Sequence, residues 1–335
     1  MNNLLGLLII AAGSFGQSSS YVPINKVRDW SWESFWLVQG IFAWLVFPFA
    51  GALLAVPEGQ TLWQILASDP ASSWAAVGYG VLWGVGGLTF GLSMRYLGVA
   101  MGQSISLGTC AAFGTLFPAI AAGTDLFRGA GLVLLLGVCI TLAGIAVIGY
   151  AGSLRSKDMT SEEKSRAVKE FALTKGLCVA LLAGVMSACF ALGLSAGPVV
   201  EESPALFKTL PATFLVTIGG FFTNAAYCLF QNWRNRSFSD YGKKAALPGN
   251  ILFCALAGLL WYTQFFGLGI GTSFFDSGSV LYAFAWCILM ALNVVFSNVW
   301  GIILKEWKGV RTKTAAVLVC GLAVLVFSLV FPNLF

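Results

Sequence analysis

The sequence predicts an all-α integral membrane protein of ten transmembrane helices, arranged as two inverted five-helix repeats. Three observations carry that prediction. The 335 residues are 58% hydrophobic and only 10% charged, ten apolar runs follow one another along the chain, and the basic residues concentrate in alternate loops. A soluble domain of this composition would lack the polar surface to face water, whereas a bilayer core requires about 20 apolar residues per helical span.

The runs lie near residues 3–21, 34–56, 74–94, 100–122, 130–150, 174–196, 206–230, 248–271, 278–304 and 313–332. They are apolar on all sides, while the strands of a membrane β-barrel alternate in polarity at every second residue. The N-terminal "MNNLLGLLIIAAGSFG" has no positive n-region and its basic residues come after the apolar run, so it reads as a retained first span rather than a signal peptide. From Trp74 to Gly123 the only charge is Arg95. That stretch is too long for one span and fits two joined tightly, with Arg95, Tyr96, Leu97 and Gly98 as the turn.

Seventeen of the nineteen Lys and Arg residues fall in one set of alternate loops, and only Arg128 and Lys208 in the other. Lys and Arg are retained on the cytoplasmic side, which predicts both termini outside a plasma (inner) membrane. The net charge of +5 is then a consequence of topology and calls for no nucleic-acid partner.

The charged loop "RSKDMTSEEKSRAVKE", Arg155 to Glu170, divides the spans five and five. Residues 1–150 form the first repeat, 151–173 a cytoplasmic linker and 174–335 the second repeat. At an offset of 178 residues "GVLWGVGGLTFG" matches "GLLWYTQFFGLG", pairing Gly80 with Gly258, Leu82 with Leu260, Trp83 with Trp261 and Gly91 with Gly269. An odd number of spans per half makes the halves enter the membrane oppositely, the inverted-repeat design of many secondary transporters, with substrate near the midplane between them. The spacing of Gly80, Gly84, Gly87 and Gly91 is that of small residues at close helix contacts in lipid.

The chain has no histidine, which excludes His-based metal sites, triads and proton relays. There is no phosphate-binding P-loop, and the carboxylates lie in loops or at span ends, so neither an enzyme nor a cofactor nor a metal is expected. All eight cysteines sit within apolar runs without a CxxC, which suits small packing residues rather than disulfides.

The spans do contain neutral polar side chains and tryptophan. Trp286, Asn293, Ser297 and Trp300 share one helical face, as do Trp261 and Gln264, and Gln17 and Tyr21. Gln103 and Ser104 stand in span four and Asn224 in span seven. Amides donate and accept toward vicinal hydroxyls and an aromatic face covers the apolar side of a sugar ring, so this inventory fits a small neutral sugar. The plainer alternative is a set of interhelical hydrogen bonds. Of the twelve tryptophans, Trp30, Trp32, Trp36, Trp63, Trp74, Trp233 and Trp307 lie near span ends and read as an interfacial belt. Trp44, Trp83, Trp261, Trp286 and Trp300 lie deeper and remain site candidates.

Four segments, "PINKVRDWSWESFW" from Pro23, "SMRYLGVAMG" from Ser93, "WYTQFF" from Trp261 and "LKEW" from Leu304, together resemble the L-rhamnose/proton symporter family of the drug/metabolite transporter superfamily. The resemblance implies a central cavity, alternating access, and import of a 6-deoxyhexose, most simply L-rhamnose, with protons. It assigns sugar contact to Trp261, Tyr262 and Gln264. It places Glu33, Arg95, Lys305 and Glu306 on the cytoplasmic side as a gate or brace, with Arg95 alternatively a snorkelling anchor. Proton coupling needs an ionisable group reachable from both sides; Asp276, in "GTSFFDSGS", is the candidate, its alternative being a solvated helix-start residue. Two other functions stay open: a facilitator or exporter of another metabolite, and a membrane sugar sensor that does not transport. The expected partners are the sugar, protons and the lipid bilayer, and a homodimer is an admissible assembly.

Overall fold

A computed structural model describes residues 2–97, 99–158, 173–204, 206–305 and 307–334, with the side chains of 95, 99–101, 156 and 158 outside that description. Glu306, the Arg95 side chain and linker residues 159–172 therefore lie outside the described residues. Among the described residues there is no strand, and ten helical segments are long and apolar enough to cross a membrane.

The first span holds α1 (Asn3–Ser19) and the short α2 (Tyr21–Ile24). The second runs through α3 (Trp32–Gly40), a π-helical stretch Ile41–Val46 and α4 (Phe47–Leu53). A seven-residue helix, α5 (Leu62–Ser68), precedes α6 (Pro70–Leu97), α7 (Val99–Ala121) and α8 (Gly129–Asp158). The remaining spans are α9 (Leu173–Ala196), α10 (Leu210–Asn235), α11 (Leu247–Thr272), α12 (Val280–Ile303) and α13 (Thr312–Val330).

Apolar run length locates all ten spans, and local chemistry explains what it misses. Arg95, Tyr96 and Leu97 complete α6 instead of forming the expected turn, because no proline or glycine interrupts residues 92–97. The helix α5 starts at a capping box, in which Thr61 Oγ1 accepts from Gln64 N and Gln64 Oε1 accepts from Thr61 N. Apolar run length alone passes over so short an element. Pro48 closely follows the π stretch and has no N–H to offer the Trp44 carbonyl; one residue earlier, Phe47 N bonds to Phe42 O, five residues back, in place of the Ala43 carbonyl of a regular helix.

The chain forms two compact units, each discontinuous in sequence: Asn2–Gly84 with Leu192–Phe274, and Val85–Ala191 with Phe275–Phe335. Each draws helices from both sequence halves. In the first unit α1 packs along α11, where Gly13 lies against the Thr263 carbonyl and Gly267 so closely that a Cβ would not fit. Close backbone approach of this kind replaces the hydrophobic driving force that lipid removes. In the second unit α8 packs along α13, with Ile145, Ile148, Ala151, Leu318 and Leu325 buried together with Ala291 and Val294 of α12.

Candidate functional site

The first unit gathers tryptophans from three spans. Trp44 sits in the π stretch and meets Trp83 of α6 and Trp261 of α11 edge-on, at centroid distances of 5.9 Å each. Trp83 and Trp261 are themselves 5.8 Å apart. Trp36, one turn into α3, packs edge-on to Trp44 at 5.6 Å and stacks on Trp32 at 5.3 Å, while Phe265 extends the cluster from Trp261 at 5.2 Å. Trp36 thus belongs to the cluster, a correction to its reading as a belt residue. Its indole Nε1 donates to Asn224 Oδ1 at 3.1 Å, and Asn224 Nδ2 donates to the carbonyls of Gly220 and Gly84.

Buried polar atoms with no partner mark this unit. Trp44 Nε1, Gln39 Oε1, Tyr262 Oη and Ser14 Oγ have no hydrogen-bond partner among the described residues, and all four residues are at most 5% exposed. Buried polar groups are almost always paired, and leaving one unpaired costs about 1–3 kcal/mol. Three of them stand on the spans that carry the tryptophans, and a sugar hydroxyl can accept from an indole N–H or bond to a phenol.

At the N-terminal end of α3 the same unit holds a second polar cluster. Glu33, 6% exposed, accepts through Oε1 from Asn235 Nδ2 at 2.9 Å and Ser237 Oγ at 2.7 Å. Asn232 Oδ1 lies within hydrogen-bonding distance of both Ser237 Oγ and Ser34 Oγ. Ser34 Oγ also reaches Asp240 Oδ2 at 2.9 Å, and that carboxylate accepts from Ser31 N and pairs with Lys243 Nζ at 2.7 Å. Trp30 Nε1 closes the cluster on the Asp240 carbonyl. Burial opposes charge on Asp240, yet the Lys243 ammonium and the Ser31 and Ser34 donors together bring its carboxyl down to about 2.

The other sequence-derived candidates are spread more widely. Gln264, buried, donates to the Trp261 carbonyl. Gln17 is half-buried and accepts from Ser18, and Tyr21 is 56% exposed, outside the tryptophan cluster. In the second unit Trp286 is buried, stacks on Phe190 at 5.9 Å and donates to the Cys110 carbonyl at 3.3 Å. Asn293 is buried in that unit too, and Gln103 and Ser297 are half-buried. Asp276 is exposed and accepts from Gly278 N in the turn before Ser279, which caps α12. Lys305 is exposed with a left-handed backbone.

Asn232, Asn235 and Ser237 are not singled out by the sequence, and Asp240 counts there only among the carboxylates of loops and span ends. A signal is available: Asn224, Cys228, Asn232 and Asn235 repeat at spacings of four, four and three residues on one helical face.

A concavity of about 550 Å³ lies between α5 and residues 198–202, lined by Gln60, Gln64, Ser68, Asp69 and Glu202 among others. Gln64 is committed there to the capping box and Asp69 Oδ1 to Ser72 N.

A family model described as "L-rhamnose-proton symport protein (RhaT)" matches residues 1–333. Among curated proteins, the L-rhamnose-proton symporters of Yersinia pestis (strain Pestoides F) and Yersinia pseudotuberculosis (serotype O:1b, strain IP 31758) are each 33% identical to this chain. Each alignment spans 345 positions and covers 98% of this chain and 97% of the relative.

Proposed function

This chain belongs to the L-rhamnose-proton symport protein family, a family of membrane transporters and not of enzymes, and from that premise we propose that it imports L-rhamnose together with protons across the plasma membrane. The observation that carries the sugar half is the Trp36, Trp44, Trp83 and Trp261 cluster, with Trp44 Nε1 and Tyr262 Oη on the same spans unpaired among the described residues. Tryptophan faces cover the apolar side of the pyranose and its C6 methyl, while the indole N–H and the phenol bond its hydroxyls. Asn224 acts here as a positioning residue, because its amide is engaged by Trp36 and two carbonyls.

The seventeen-to-two bias of Lys and Arg supports a topology with both termini outside. That topology puts the Glu33 and Asp240 cluster at the cytoplasmic end. Two contacts support the inverted repeat. Trp83 and Trp261, partners under the 178-residue offset, touch each other. Their neighbours Gly80 and Gly258, also partners, pack against spans that correspond: Gly80 against Val216 of α10, Gly258 against Gln39 and Ala43 of the second span.

The deciding experiment is uptake of labelled L-rhamnose into proteoliposomes with and without an inward proton gradient, with L-fucose, L-mannose and D-glucose as competitors. Gradient-driven accumulation competed by close stereochemical relatives is the expected result. Equilibration without accumulation would indicate a facilitator, and binding without flux a sensor.

A further inference from the structure

Glu33 is the one carboxylate within the ten candidate spans. It is buried, its carboxylate is held by an amide and a hydroxyl, and among the described residues no cation pairs with it. We propose that Glu33 is the proton-binding carboxylate of the symporter, linked to the sugar site through the asparagine stripe of α10. This inference rests on the proton-coupled reading above.

Two features of the geometry support it. The first is continuity. Trp36 lies three residues beyond Glu33 on α3, and its indole bonds Asn224. From Asn224 the polar face of α10 descends through Asn232 to Asn235, which bonds Glu33. A sugar seated on Trp36 and Trp44 therefore presses on the same two helices that hold the carboxylate.

The second is that the cluster has two proton arrangements. Ser237 carries one hydroxyl proton and faces two acceptors, Glu33 Oε1 at 2.7 Å and Asn232 Oδ1 at 3.0 Å. With Glu33 ionised, that proton points at Glu33. When Glu33 gains a proton, a new O–H bond forms on its carboxyl, the group becomes a donor, and the Ser237 proton is free to turn to Asn232 Oδ1. Asn232 is thereby drawn toward Ser237 and away from Ser34, which reports the protonation along α10. In the proposed cycle the proton reaches Glu33 from the sugar side, along the Trp36 and Asn224 face, while the cytoplasmic end is closed. It leaves by breaking the same O–H bond to water on the inner side, restoring the anion, so one proton moves per cycle.

Among the described residues, the titratable groups on the elements packed against the Glu33 end of α3 include Cys228 on α10, Asp240 and Tyr241 in the 3-10 turn Ser237–Gly242, Lys243 beyond it, and Cys254 on α11, which bonds the Phe35 carbonyl. Arg234 and Arg236 flank the end of α10. Asp240 is held ionised by Lys243, and Asp276 is exposed in a turn, which leaves Glu33 as the buried carboxylate of the spans.

The test uses the full chain in proteoliposomes, with labelled L-rhamnose as the probe. Wild-type accumulation under a proton gradient is read first; its absence removes the symport reading itself. Given that accumulation, Glu33→Gln is expected to lose gradient-driven accumulation while retaining sugar counterflow, which needs no net proton movement. Wild-type accumulation in Glu33→Gln overturns the proposal, as does loss of counterflow together with accumulation in a variant that folds, the mark of a purely structural brace. If Glu33→Gln does not fold, Glu33→Asp decides. It keeps the carboxylate but draws it back from Asn235 and Ser237, so the pH dependence of uptake should shift. An unchanged profile would refute the assignment. Loss of accumulation in Asp276→Asn alongside its retention in Glu33→Gln would transfer the role to Asp276.

Discussion

Trp83 and Trp261 stand 178 residues apart in sequence and meet with their ring centroids 5.8 Å apart. Trp44 seals the pair by setting its edge to both rings at 5.9 Å. Each such aromatic contact is worth about 0.5–1.5 kcal/mol beyond the area it buries. The arrangement therefore holds itself rigid, while leaving Trp44 Nε1 without a hydrogen-bond partner among the described residues.

Trp44→Phe keeps an aromatic ring at the centre of the cluster and removes that N–H. Loss of one neutral hydrogen bond to the sugar, about 0.5–1.5 kcal/mol, should weaken L-rhamnose binding roughly 2- to 12-fold. Isothermal titration of the purified protein checks this. An unchanged dissociation constant would mean that the indole N–H does not touch sugar.

Tyr262→Phe separates binding from folding more cleanly, because it deletes a single buried, unpaired hydroxyl. The variant should melt no lower than the wild type, since an unsatisfied polar group is relieved, and bind sugar more weakly. Its neighbour gives an internal control. A Cβ at Gly51 would overlap Tyr262 Oη and stand 3.0 Å from Cζ, so Gly51→Ala should cost about 1–3 kcal/mol of stability through overpacking. Adding Tyr262→Phe should recover part of that loss in a thermal melt, and full additivity of the two changes would contradict the contact.

Asp240 supplies a pH prediction with a definite sign. Its carboxyl is held down at about 2, below the ordinary value of about 3.9. The stability it contributes is therefore fully present above pH of about 4 and fades only as pH falls toward about 2. With Lys243 part-exposed, screening leaves roughly 1–2 kcal/mol. Asp240→Asn should lower the melting temperature by the same amount at about pH 5.5 and about pH 8, both above the window in which the carboxyl titrates, without moving the pH profile of uptake. A shift of that profile would show that Asp240, and not only Glu33, exchanges protons.

Run length and charge bias expose the ten spans because a bilayer demands both of every helix that crosses it. They cannot expose the partition into two units, since each unit assembles helices distant in sequence. For the candidate site, mid-span tryptophan identifies Trp44, Trp83 and Trp261, but Trp36 is hidden by its position near a span end. The Glu33 cluster is half visible: Glu33 comes from family resemblance, whereas Asn235, Ser237 and Asp240 reach it across about 200 residues of chain. Composition treats such residues as solvated loop polarity, and only tertiary packing turns Asn235 and Ser237 into donors to a buried carboxylate and joins Asp240 to the same cluster through Ser34.

The π stretch joins local sequence to the site most directly. Pro48 denies the Trp44 carbonyl its usual donor, and beside it the bond from Phe47 N to Phe42 O, five residues back, makes one wider turn. Each residue added to a helical turn rotates the helix before it by about 100° relative to the helix after it, so the wide turn sets which way Trp44 faces. Such turns recur at functional sites because they hold a side chain where a regular helix would not. Pro48→Ala restores the N–H and permits an unbroken α-helix through the second span. It should raise thermal stability, by up to about 3 kcal/mol if the whole helical penalty of proline is recovered, while turning Trp44 away from Trp83 and Trp261 and depressing L-rhamnose uptake. A variant that gained stability yet transported normally would show that the π turn arises from Pro48 without serving the sugar site.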